Sequence, residues 1–232
     1  VEDLGTWRRF EIDIVRSAAA GNNDILYKAP PPDRIEAEMA VFLKWLAQGH
    51  KHPTPIVAAI AHLWFESIHP FSDGNGRIGR AIIEQVFAKT KALPFSFSRQ
   101  VEKEKKAYYA ALQAGRREGD GAIDATTFIV WFLECLVGAA ALSRNEAFLI
   151  VRRNRFLSKL SPDLSERQIT VLRVLFSQGE VRVAQGISAR SYAKIARVSG
   201  PTATRDLAAM ERAGALTRSE AGGRSTHYRI NY

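Results

Sequence analysis

One cysteine, Cys135, stands in 232 residues, so no intrachain disulfide staples this fold and stability has to come from apolar burial. That cysteine lies inside an apolar run and reads as a small buried hydrophobe, which fits a reducing compartment. No stretch shows the order of basic, apolar and small residues that marks a secretory leader. The most apolar run, Phe128–Leu142, is interrupted by Glu134 and is shorter than the ~20 residues of a membrane span. Internal repeats and low-complexity tracts are missing too. These absences argue against a disulfide scaffold, a solenoid and a membrane partner, and point to a soluble, cytoplasmic chain. What remains is 46% hydrophobic, enough for one large core or two modest ones.

An excess of acid is also lacking, and the basic excess is confined to one region. Residues 1–150 carry 18 Lys+Arg and 18 Asp+Glu, whereas residues 151–232 carry 15 and 6, the entire net charge of +9. Such asymmetry predicts two domains with different partners, the second facing something anionic.

The chain opens with alternation. Phe10, Ile12 and Ile14 fall on one face and Glu11 and Asp13 on the other; after Gly21-Asn22-Asn23, Ile25 and Tyr27 alternate again. Two short strands around a polar turn predict a β-hairpin over about residues 6–30. Asp33 and Glu36 form an Asp-x-x-Glu capping signature for a helix with Ile35, Met39, Phe42, Leu43 and Leu46 as its apolar stripe. Thr54 and Pro55 are read as N-cap and first residue of a second helix that runs to His69. A third resumes at about Gly76 and reaches Lys91, and Ser98 is read as the cap of a fourth. From Thr126 or Thr127 a helix apolar on nearly all sides predicts the centre of a bundle; beyond Leu142 it turns amphipathic.

Residues His69–Arg80 read HPFSDGNGRIGR. Pro70 stops the preceding helix, and Gly74 and Gly76 permit positive φ and a convergence of backbone N–H groups where the next helix opens. Converging amides and a helix N-terminus favour an anion, and Arg77 and Arg80 add positive charge. A polyphosphate suits that setting. Asp73, the one acid inside it, suits the Mg²⁺ that accompanies a nucleoside triphosphate. His69 at the rim is placed to take a proton from a hydroxyl. His52 and His62 read as surface or packing residues, and a His62–His69–Asp73 metal cluster would leave the glycines and arginines unexplained.

This stretch resembles the signature of the Fic family, HPFx(D/E)GNGRxxR, at every specified position, and the resemblance extends over roughly Leu4–Leu142. It implies a mainly α, Fic-fold helical bundle with a β-hairpin flap, and transfer of AMP from ATP to a Tyr, Thr or Ser hydroxyl of a target protein with release of pyrophosphate. Carried over residue by residue, it implies His69 as base and Asp73 as Mg²⁺ ligand. The amides of Gly74 and Gly76 would join Asn75 on the α- and β-phosphates, with Arg77 on the triphosphate and Arg80 on the γ-phosphate. Tyr108, Tyr109 and Gln113 resemble positions that line the adenine. In the flap, Ile25, Leu26 and Tyr27 would hold an extended target segment by strand addition. The inhibitory pattern (S/T)xxxE(G/N), whose glutamate pairs with the second motif arginine in many members, is not found in this sequence. The resemblance places such a helix before the core.

The last stretch has its own signature. Ser165-Glu166-Arg167-Gln168 is a capping box, Ser188 opens a short helix, and a third over Thr202–Ala213 faces Ala203, Leu207 and Met210 inward. Leu216 leads a strand, and Thr226, Tyr228 and Ile230 alternate with His227 and Arg229. Three helices and a two-stranded ribbon resemble a small winged helix-turn-helix domain. The expected division is 1–145 catalytic core, 146–162 helical connector and 163–232 winged helix. Thr202, Thr204, Arg205 and Arg224 are the candidate contacts to DNA or a protein partner. The second reading is a nucleotide-sensing transcriptional regulator that binds DNA through this domain, and a homodimer stays open.

Overall fold

The computed structural model describes residues 5–16, 24–116, 118–119, 122–219 and 226–232. The turn Gly21-Asn22-Asn23 and the wing turn with Arg224 therefore lie outside the described residues. Two compact units emerge, Val1–Ala141 and Leu142–Tyr232.

In the first unit, β1 (Asp13–Arg16) pairs antiparallel with β2 (Asp24–Lys28), with a register irregularity between Ile14 and Val15. The hairpin exists, but its first strand starts later than the alternation predicts, and Phe10 is half exposed. A one-turn 3-10 helix, Pro32–Arg34, leads into α1 (Ile35–Ala47), followed by α2 (Thr54–Ile68), α3 (Asn75–Ala88), α4 (Phe97–Lys103) and α5 (Lys105–Gly115). A minimal strand pair, β3 (Glu118–Gly119) and β4 (Ala122–Ile123), precedes the 35-residue α6 (Thr126–Leu160).

Several expected caps shift. Asp33 sits in the 3-10 turn and α1 has Arg34 at its N-cap with no side-chain bond, so the Asp-x-x-Glu signature is not realised. Thr54 is the first residue of α2, after Pro53, and α4 is capped by Ser96 rather than Ser98, its hydroxyl accepting from the Arg99 amide. Leu43 faces solvent, while Ile35, Met39, Phe42 and Leu46 are buried.

The core follows from α2, which is buried along most of its length. Ala58, Ala59, Ala61 and Phe65 are buried among Phe42, Ile83, Phe97, Phe128 and Phe132. Small residues on α2 let α3 lie close against it. By length and composition α6 could cross a membrane, its most apolar window having a mean hydropathy of 1.7 and 22% of it buried. Phe128, Phe132, Cys135, Leu136 and Ala139 are buried, while Val130 and Val137 are exposed, so one side of the helix packs on the core and the expectation of burial on nearly all sides is not met. Burial also pushes the Cys135 thiol up to about 12, so it is protonated and inert.

In the second unit α7 (Glu166–Ser177) starts with the expected capping box: Ser165 accepts from the Gln168 amide, and Gln168 accepts from the Ser165 amide. Next come α8 (Glu180–Gln185), which the sequence reading did not anticipate, β5 (Ile187–Ser188), α9 (Ala189–Ala196) and α10 (Gly200–Arg212). Strands β6 (Leu216–Arg218) and β7 (His227–Ile230) complete an antiparallel sheet of order β5-β7-β6, three strands where two were expected. Leu172, Leu175, Tyr192, Ala203, Leu207, Met210 and Tyr228 form its core. Asp206 of α10 accepts from Arg167 of α7 at 2.8 and 3.1 Å and from the Tyr192 hydroxyl of α9 at 2.9 Å, tying three helices together.

Candidate active site

Helix α2 stops where Pro70 has no N–H to continue it. His69, its C-cap, takes a left-handed conformation (φ 49°, ψ 58°), its N–H bonded to the Phe65 carbonyl at 3.0 Å. A non-glycine residue there costs ~1–2 kcal/mol, so something must hold it. Arg8 does. This arginine is 1% exposed; its Nε donates to the His69 carbonyl at 2.9 Å and its backbone N–H to the Pro70 carbonyl at 2.9 Å. Its remaining guanidinium N–H groups reach the carbonyls of Phe10 and Pro30.

The loop after Pro70 is set from within. Asn75 is buried, its Oδ1 accepting from the Phe71 amide at 3.0 Å and its Nδ2 donating to the Phe71 carbonyl at 2.8 Å. Phe71 packs on Trp7 and Phe65. Gly74, at φ 88°, is the N-cap of α3 and offers no side chain to it. The amides of Arg77 and Ile78 bond to the Gly74 carbonyl at 3.0 Å, which leaves those of Asn75 and Gly76 without an intrahelical acceptor. That is the anion-seeking end of a helix.

Behind the loop lies a buried charged cluster. Glu66, 4% exposed, sits one turn before His69 on α2. Arg116, 6% exposed at the end of α5, donates to the Glu66 carbonyl at 2.5 Å, with its Nη2 3.7 Å from the Glu66 carboxylate. The same carboxylate stands 3.8 Å from Nδ1 of His69. Arg116 also lies over the Tyr27 ring, 5.2 Å from its centre, and the Tyr27 hydroxyl donates to the Ser67 carbonyl at 3.1 Å. Burial pushes the Glu66 carboxyl up, while Arg116 and Arg80 pull it back down. Burial above all, then Arg116 and Arg8, hold the His69 imidazole below its ordinary 6.5, so the ring is neutral at pH 7 and able to accept a proton. His62 is wholly buried, its Nε2 2.9 Å from the Tyr108 hydroxyl, and burial pushes it down to about 4. It is a core residue, as the sequence suggested.

The sequence-expected residues divide into three groups. His69, Gly74, Gly76 and Arg80 come together around the opening of α3, the Arg80 guanidinium lying over Gly76. Asp73 is exposed; its Oδ1 accepts from the Gly74 amide at 2.6 Å and its Oδ2 from Arg77 at 3.1 Å, so here both residues serve the turn. Two of the expected residues are engaged within the protein. The Asn75 carboxamide spends one N–H and one lone pair on Phe71, which makes it a loop brace with a second N–H still to give. Tyr108 is buried and bonded to His62, so it backs the site and does not line an open adenine pocket. Tyr109 is 58% exposed and Gln113 half-buried one turn along α5. Of the three expected flap residues only Tyr27 has a described side chain, and it is pinned to Ser67; Ile25 and Leu26 are placed by backbone alone. Tyr27 also lines a cleft of about 540 Å³ with Lys28, Pro30, Arg34 and Trp64, which no residue of the 69–80 turn enters.

Glu66, Arg116 and Arg8 were not anticipated. Glu66 carried a signal, a lone carboxylate inside an apolar helix three residues before His69; the two arginines carried none. As for metal, the described residues contain no cluster of three His, Cys, Asp or Glu. Asp73 is a single exposed carboxylate with lone pairs to spare, a donor that fits Mg²⁺ arriving with a phosphate substrate and not a metal caged by protein.

Residues 2–87 match the Fic/DOC family. A probable protein adenylyltransferase of Aquifex aeolicus is 30% identical over 97 residues, 42% of this chain and 28% of that protein. Protein adenylyltransferase Fic of Drosophila melanogaster is 33% identical over 94 residues, 39% of this chain and 18% of its own length. The matches thus span less than a third of these relatives. Among solved structures, a Fic family protein from Desulfovibrio desulfuricans superimposes with a TM-score of 0.50 at 23% identity, covering 100% of this chain and 64% of that one. The mainly α architecture is the Fic fold, and residues 2–87 carry a Fic/DOC family domain.

Proposed function

We propose that the first unit is a protein adenylyltransferase that moves AMP from ATP to a Tyr, Thr or Ser hydroxyl of a cytoplasmic target protein. The observation that carries this reading is the turn itself: a neutral, left-handed His69 beside a helix end whose first amides have no partner. The Asn75 and Gly76 amides and the Arg80 guanidinium bind phosphate oxygens. Mg²⁺, held by Asp73, supplies charge neutralisation to the phosphates when bound. His69 accepts the hydroxyl proton as the acceptor oxygen bonds to the α-phosphorus and the bond to pyrophosphate breaks. Donors fixed before the reaction act where negative charge grows. The names of the relatives support ATP and a protein as substrates.

Intact-mass spectrometry with ATP and Mg²⁺ tests it. The expected result is an AMP adduct on the chain or on an added lysate protein, with His69→Ala slowing transfer about 10²–10⁴-fold while ATP still binds. Equal transfer by His69→Ala would sink the proposal.

A second activity is proposed for the second unit on the strength of its charge, which holds the whole net +9 of the sequence. We read α7, α9, α10 and the β5-β7-β6 sheet as a winged helix that binds DNA. Thr204 and Arg205 are exposed on α10, whereas Thr202 is turned back to Ser199, its Oγ1 2.9 Å from the Ser199 hydroxyl. DNA affinity that falls steeply with salt and weakens in Arg205→Ala is the expected result, and no binding at low salt would refute it.

A further inference from the structure

Among the described residues Glu66 is the single buried carboxylate. Burying an ion is costly unless it is paired with good geometry, and the pairing here is divided. Oε2 stands 3.7 Å from Nη2 of Arg116 and 3.8 Å from Nδ1 of His69, a little beyond hydrogen-bond length to each. Oε1 faces α3, where a Cβ on Gly79 would come within 2.9 Å of it. A plain structural ion pair would close on Arg116 with both oxygens. This carboxylate instead sits between a permanent cation and the imidazole, so it can tighten on whichever is charged.

We propose that Glu66 is a positioning residue for His69. Its carboxylate keeps Nδ1 protonated and turned inward, leaves Nε2 bare toward the turn, and offsets the charge that arises when Nε2 takes up a proton. Arg116 in turn holds Glu66 in place, and its stacking on Tyr27 links the hairpin to the same group. The catalytic part of this inference rests on the adenylyl-transfer reading, but the pairing itself does not. The charged and titratable groups around the pair are His62 on α2, Arg80 on α3, Tyr108 and Arg116 on α5, Arg8 before β1 and Tyr27 on β2. Arg116 and Arg8 drive His69 toward the neutral form. The Glu66 backbone carbonyl works against them; a carboxylate 3.8 Å from Nδ1 acts in the same direction, so its removal lowers the pH at which His69 titrates.

The test needs no substrate. In the wild-type chain with ¹⁵N- and ¹³C-labelled histidine, assigned with His69→Ala, the ring shifts of His69 should report a proton on Nδ1. In Glu66→Gln its titration should move down by about one pH unit or more. Auto-modification with labelled ATP should slow ~10–100-fold with ATP affinity unchanged, its acid limb moving down with the titration, and Glu66→Asp should recover part of the rate. A proton on Nε2 in the wild type overturns the proposal even if Glu66→Gln fails to fold, and so does an unmoved titration in a folded Glu66→Gln. The predicted tautomer and titration without any AMP adduct would refute the adenylyl-transfer reading while upholding the pairing.

Discussion

Among the described residues the chain twice passes from one helix to the next through a left-handed residue that is not glycine, at His69 after α2 and at Arg197 after α9. At the second turn everything is satisfied from nearby. The amides of Arg197 and Val198 both return to the Ala193 carbonyl, and the Ser199 hydroxyl caps α10 by accepting from the Thr202 amide. At the first, Pro70 has no amide to return, so the conformation is imposed from a distance by Arg8. Gly74 brings no cap, and the first amides of α3 stay open. A turn closed on itself is scaffold; one held open by a remote arginine has donors left for a ligand.

The sharpest way to break this comparison is to truncate both left-handed side chains. His69→Ala should remove nearly all AMP transfer, while Arg197→Ala should leave the rate within about twofold, since exposed side chains away from a site rarely matter. Equal losses would mean that the two turns are not chemically different.

A smaller effect is expected at Gly79, where α3 crosses α2. An added Cβ would lie 2.9 Å from Glu66 Oε1 and 2.9 Å from the His62 ring. Glu66 Oε1 makes no hydrogen bond and can yield by a small turn of the carboxylate, but the His62 ring is held by the Tyr108 hydroxyl and packs on Phe128. Overpacking of about 1–3 kcal/mol, offset by about 1 kcal/mol of helix propensity, gives a net loss of up to about 2 kcal/mol for Gly79→Ala. Denaturant unfolding measures it. Because Glu66 is the group displaced, transfer should fall further than the stability loss explains.

How much of this could be read from the residues depends on the range of the interactions. Parts of the second unit were legible because their signals are local: Ser165 to Gln168 is three residues, and Tyr228 and Ile230 are buried by simple alternation, while the short α8 and β5 carried no such signal. The 69–80 turn was legible for the same reason, since Pro70 and Gly74 act on their own neighbours. The bracing role of Asn75 was not legible, because its carboxamide binds Phe71, four residues back, and a polar side chain in a loop does not announce which backbone it braces. Tyr108 misled because helical period cannot say which of two adjacent tyrosines meets a histidine 46 residues away. Arg8 and Arg116 were invisible. Each acts on a carbonyl more than 45 residues distant, and only the assembled fold brings donor and acceptor together.

The smallest expected effect completes the comparison. Arg197, at φ 55°, carries the left-handed cost of ~1–2 kcal/mol that a glycine after a helix avoids. Arg197→Gly removes that cost but enlarges the freedom of the unfolded chain, which takes back about 0.4–1 kcal/mol. The balance is a gain of about 0.5 kcal/mol in denaturant unfolding, with AMP transfer unchanged. The Ala193 carbonyl keeps both of its amides in the variant, so the turn has no reason to rearrange. A loss of stability instead would show that the Arg197 side chain contributes to this turn from outside it, as Arg8 does at His69, and would remove the contrast between a closed turn and a held one.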